Sequence, residues 1–106
     1  MECKKVNIGK GFVDIYDFGK MKLHCYQTND LMSDESYILE NNEAVLLVEF
    51  PAFYDNLEEF EKYVKSLNKK IVGKVFSDHP NGATIFKDVK GYASNGTIKS
   101  MKEGTI

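Results

Sequence analysis

The stretch "MKLHCYQTNDLMSDESYILENNEAVLLVEF", residues 21–50, is where the fold of this chain is most legible. At its start Met21, Leu23 and Cys25 alternate with Lys22, His24 and Tyr26, the period-2 pattern of a half-buried strand. "SYILE" (36–40) and "AVLLVEF" (44–50) read as two further strands, joined across Asn41 and Asn42. Asparagine tolerates positive φ, which predicts a tight hairpin between them. Ala44 to Val48 is apolar at every position, so this strand is expected mid-sheet and covered on both faces.

The flanks extend the pattern. Before it, "FVDIYDF" (12–18) also reads as a strand. After it, Leu57, Phe60, Tyr63, Val64 and Leu67 recur at three- and four-residue steps, the apolar stripe of a helix. Asp55 is the expected N-cap, with Glu58 completing a capping-box-like pair, and Lys65, Lys69 and Lys70 suit the helix's negative end. "IVGKVFS" (71–77) is the next strand, followed by a helical turn over 83–88, a short strand over 90–93, and a last helix from Ser94 to Lys102. A sheet formed mainly from antiparallel strands, with two helices on it, is therefore expected, an α/β or α+β fold.

The chain has 106 residues, which suits one domain spanning 1–106 with a single core. Its charge of −2 is spread over interspersed acids and lysines with no basic stripe. That balance argues against a nucleic-acid partner. No apolar run approaches the roughly 18 residues a membrane span needs. Cys3 and Cys25 form neither a C-x-x-C pair nor a disulfide framework, and the N-terminus lacks the apolar core of a signal peptide, so a reducing cytoplasm is expected.

The order and spacing of these segments resemble the first half of the metallo-β-lactamase fold, over about residues 20–103. "SYILE" stands where that family has a pattern like N-S-Y-L-I, and "AVLLVEF" where it has V-L-I-D-T-G. "FSDHPNGA" (76–83) stands at the H-x-H-x-D-H metal motif, and "VKGYAS" (89–94) at a strand like V-Y-A-S. The resemblance implies one half of an αββα sandwich of twice this length, with metal-dependent hydrolysis as the family's chemistry. This chain departs from it in two ways. Glu49, Phe50 and Pro51 replace Asp-Thr-Gly, and the metal motif is shortened to Ser77, Asp78, His79, Pro80 and Asn81. His79 alone can stand for one of its histidines, and Asn81 replaces the acid. The family's remaining ligands come from a second half that has no counterpart in these residues.

Asp78 and His79 are thus the candidate metal ligands, for zinc, iron or manganese if a metal binds at all. Zinc needs three or four converging N, S or carboxylate ligands. Neighbours in extended backbone point to opposite sides, and Pro80 holds His79 extended. A strand exit with an Asx turn at Asp78 and a helix cap at Asn81 accounts for the same residues more simply. Nothing else in the sequence assembles a catalytic set. The His24–Cys25 pair reads as strand, and the lone G-x-G of "IGKGF" (8–12) precedes a strand where a phosphate loop follows one. "FPAFY" (50–54) is the other stretch of interest: Phe50, Phe53 and Tyr54 are candidates for a ligand pocket or an interface.

Three functions remain open. One is a divergent metallo-β-lactamase-like protein or fragment without an intact metal site, non-catalytic as it stands and needing no cofactor. The second is a metal-dependent hydrolase completed by another chain or by further residues. The third is a small-ligand-binding or protein-interaction module. In each, the sheet face away from the helices needs cover, which predicts self-association or a partner chain.

Overall fold

A computed structural model describes residues 2–9, 11–28, 35–50, 54–76 and 85–93. It shows one sheet of seven strands lying in sequence order: β1 (Glu2–Ile8), β2 (Gly11–Asp17), β3 (Lys22–Thr28), β4 (Glu35–Glu40), β5 (Ala44–Val48), β6 (Lys70–Phe76) and β7 (Gly91–Ala93). β1 to β5 form an antiparallel meander, and β6 and β7 then join parallel to β5. The crossover from β5 to β6 carries α1 (Tyr54–Ser66), as a parallel pair requires. The sheet is therefore mainly antiparallel with a helix on one face, as the alternation and the apolar stripe imply. The last helix expected from Ser94 lies outside the described residues. Of the helical turn expected over 83–88, the described part, from Ile85, forms bends and turns.

The core lies between α1 and one face of the sheet. Leu57, Phe60 and Val64 are buried from the helix side, against Val13, Tyr26, Ile38, Val45 and Leu47 from the strands. The stripe read from the sequence is the buried one, with Tyr63 and Leu67 at its margin. α1 begins one residue before Asp55, which places the expected cap inside the first turn.

Local geometry corrects three expectations. The β4–β5 hairpin does not use positive φ at Asn41 or Asn42. Instead Asn41 Oδ1 accepts from the backbone N–H of Glu43 and of Ala44, each at 2.8 Å, so the side chain closes the turn. Next, β5 is mid-sheet but covered on one face only: Val45 and Leu47 are buried under the helix, while Leu46 and Val48 are half-buried on the outer face. Finally, β3 presents to the helix the residues that hydropathy assigns outward. His24, Tyr26 and Thr28 are buried, Leu23 and Cys25 are half-buried on the outer face, and Met21 is exposed.

β1 was not evident from the sequence, because its charged positions break any apolar period. It forms by pairing along its whole length with β2, from Glu2 opposite Asp17 to Ile8 opposite Gly11. Gly9 makes the connecting turn at φ +53, and the carboxylate of Glu59 on α1 lies where a Cβ would stand. Gly9 of "IGKGF" thus serves both the hairpin turn and a close helix contact.

Candidate functional site

Two regions gather titratable side chains, at opposite ends of the sheet. The first is the end where β5 and β6 finish. Glu49, where the family pattern has an acid, follows β5 with φ +64, and its N–H donates to Val75 O at 3.0 Å. Left-handed backbone at a non-glycine residue is held only by its surroundings. Nearby on the outer face, Tyr37 donates to Glu35, which also accepts from Gln27 Nε2 at 2.9 Å. The bond to Glu35, then burial, pushes the Tyr37 hydroxyl up to about 12. On the helix face Lys74 is buried, and burial pulls its ammonium below the ordinary lysine range. Its Nζ donates to Ile85 O and its N–H to Lys90 O, both at 2.9 Å, so β6 is tied to the segment leading into β7.

Of the residues singled out in the sequence, Asp78, His79 and Phe53 lie outside the described residues. Tyr54 opens α1. Phe50 is buried, with its ring edge-to-face to Phe60 at 5.7 Å between centroids. Cys3 and Cys25 are free thiols on the outer face, on strands that flank β2. Burial first, then the charges of Asp14 and Glu35, push the Cys25 thiol up, the opposite of what a thiolate nucleophile needs.

The second region was not evident from the sequence. His24, only 2% exposed, has both ring nitrogens engaged: Nε2 stands 2.7 Å from Glu40 Oε1, and Nδ1 stands 2.6 Å from the Tyr63 hydroxyl on α1. Lys69 Nζ donates to Glu40 Oε2 at 2.6 Å and to Asn41 O at 2.7 Å. The register explains the meeting. Glu40 lies opposite Lys22, one diagonal from His24 on the same face, and α1 crosses that face with Tyr63. Burial alone would raise the Glu40 carboxyl, but hydrogen bonds and charge from Lys69 and His24 outweigh it and hold the group below its ordinary value. Tyr63 is pushed up to about 12, by burial first and then by Glu40. An ionised Glu40 only accepts, so Nε2 carries the hydrogen it receives and Nδ1 is left to meet the hydroxyl.

This network is an acid, an imidazole and a hydroxyl in line, yet it lies inside the sheet–helix interface. It binds two strands and the helix together, and it leaves His24 with no nitrogen free for a metal. Among the described residues, no group of three or more His, Cys, Asp and Glu could hold a metal ion.

No family model and no curated protein matches this chain. Solved structures do. The metallo-β-lactamase DIM-1 superposes with a TM-score of 0.64 at 15% identity, over 93% of this chain and 49% of its own. A metallo-β-lactamase from Erythrobacter litoralis, with β-mercaptoethanol in its active site, gives 0.63 at 14% identity, over 97% and 50%. The mono-zinc form of FIM-1 from Pseudomonas aeruginosa gives 0.60 at 15%, over 89% and 47%. At such identities the likeness speaks of fold alone. The chain has a partial metallo-β-lactamase fold and spans about half the length of the solved structures it matches.

Proposed function

We propose that this chain is a divergent metallo-β-lactamase-like unit, non-catalytic as it stands, which keeps the scaffold and lacks an intact metal site. One observation carries the reading. The chain has two histidines, and His24 is committed at both nitrogens to Glu40 and Tyr63. His79 is then the single histidine left for a metal, followed by proline and asparagine where the family motif continues with ligands. A zinc site of three or four donors is not assembled from that remainder. Protein purified without chelator should carry metal far below one ion per chain, and His79→Ala should leave that content unchanged. Stoichiometric zinc, iron or manganese, lost on His79→Ala, would overturn the proposal.

The half-length match supports a second reading, a hydrolase completed by another chain or by further residues. There His79 and Asp78 would be part of a shared site, and bound metal would lower the pKa of water for attack on an ester, amide or thioester. The same metal measurement, repeated with the completing chain present, separates the two.

Both readings include a cover for the outer sheet face. Two registered rows cross it: Tyr16, Leu23, Leu39, Leu46 and Gly73, then Asp14, Cys25, Tyr37, Val48 and Val75. The Tyr92 ring lies against Gly73, 3.1 Å from where a Cβ would stand, and remains 49% exposed. A largely apolar sheet face of this kind favours burial against another layer. A second copy of the chain is the proposed layer. Cytoplasmic residence belongs to the same proposal and rests on the unpaired thiols. Among the described residues, no helix is long and apolar enough to cross a membrane.

A further inference from the structure

At the sheet end opposite the one where β5 and β6 finish, the β2–β3 and β4–β5 hairpins and residue 69 enclose a cleft of about 60 Å³. Lys20, Lys22, Lys69, Glu40, Asn41 and Asn42 line it. Its charge does not balance. Glu40 is the sole carboxylate among the lining residues, and both its oxygens are taken, Oε1 by His24 and Oε2 by Lys69. Lys69 alone therefore offsets Glu40. Lys20 and Lys22 form no ion pair among the described residues, and Asp17, opposite Lys22 in the β2–β3 register, has its Oδ1 engaged by the Gly19 N–H. Three ammonium groups against the carboxylates of Glu40 and Asp17 leave the cleft with a positive surplus of one, which a bound anion relieves. The hairpins fix their backbones: Phe18 N–H donates to Met21 O at 2.9 Å, and Asp17 Oδ1 accepts from Gly19 N–H at 2.8 Å.

We propose that the cleft between the β2–β3 and β4–β5 hairpins binds a dianionic oxyanion, phosphate or the phosphoryl group of a small monoester, through Lys20 and Lys22 with Lys69 also lining it. Lysine acts here as a point charge, which suits a tetrahedral group without demanding planar bidentate geometry. The exposed rim leaves room for an ester substituent to extend into solvent. The site is independent of any chemistry at Asp78 and His79.

The test is a ¹H–¹⁵N titration of the whole chain with inorganic phosphate at neutral pH, with chloride holding ionic strength constant. Glycerol phosphate forms a parallel arm. Saturable millimolar shifts confined to residues 19–22, 41–42 and 69 are expected. Each of Lys20→Gln and Lys22→Gln should weaken binding roughly fivefold, as loss of one solvated charge implies. The double Gln variant should lose binding while keeping its dispersed spectrum, since both residues are exposed. The double Arg variant should retain it. Equal binding of glycerol phosphate assigns the site to a phosphoryl ester, and binding of phosphate alone assigns it to the free ion. Unsaturable shifts spread over Lys4, Lys62 and Lys87, or shifts unchanged in the double Gln variant, would mean an adventitious ion only and would overturn the site.

Discussion

Replacing Phe60 by alanine is expected to cost about 4 kcal/mol, the largest loss from any single change considered in this fold. Phe60 is fully buried at the centre of the helix–sheet interface. Its ring meets Tyr26 of β3 edge-to-face at 5.5 Å and Phe50 at 5.7 Å, so truncation removes two aromatic contacts as well as apolar area. The neighbours cannot collapse into the space. Tyr26 is itself fully buried and its hydroxyl reaches Glu59, while Phe50 is itself buried two residues past the end of β5. Urea unfolding followed by far-UV circular dichroism reads the loss as a lower midpoint with an unchanged slope. That loss is a large part of the total stability of a domain of this size. A cost below about 1 kcal/mol would mean that α1 does not anchor the sheet.

His24→Leu is expected to cost about 3 kcal/mol, by a different mechanism. The substitution leaves buried Glu40 with Lys69 as its remaining charged partner and deprives the Tyr63 hydroxyl of Nδ1. The penalty comes from groups left behind, so it should be non-additive. Adding Tyr63→Phe to His24→Leu should cost much less than Tyr63→Phe costs alone, because the hydroxyl is already orphaned. Acid tests the same network. Glu40 is held below the ordinary carboxyl value of 4.5 in the folded chain. A depressed carboxyl contributes stability above its unfolded value and loses it as pH falls through the folded one. Stability should therefore fall as pH drops below about 4.5, and that slope should be shallower in His24→Leu.

Alternation placed β3, apolar runs between turn residues placed β2, β4 and β5, and the three-and-four stripe placed α1, each within one or two residues. The sequence could not say which face of β3 meets the helix. By hydropathy Leu23 belongs inside and His24 outside, but the buried polar set formed with Glu40 and Tyr63 reverses that order. The partners are 16 and 39 residues from His24, so no local motif announces them. β1 was hidden for a related reason. Lys4 and Lys5 interrupt its apolar positions, as suits an edge strand, and pairing with β2 supplies the order its composition lacks. At the β4–β5 turn the residue type was legible and the device was not, since Asn41 acts through its side-chain oxygen. The degenerate motif at Asp78 and His79 could be weighed from spacing alone; the engagement of both nitrogens of the other histidine, His24, needed the fold.

The chain spans about half the length of the solved structures it matches, and among the described residues one sheet face carries no helix. Sedimentation velocity across the micromolar range tests the cover proposed for that face directly. Two chains face to face through the rows around Leu39 and Leu46 should sediment as a dimer that dissociates on dilution. A species that remains strictly monomeric over the whole range would contradict the proposal that a second copy supplies the missing layer.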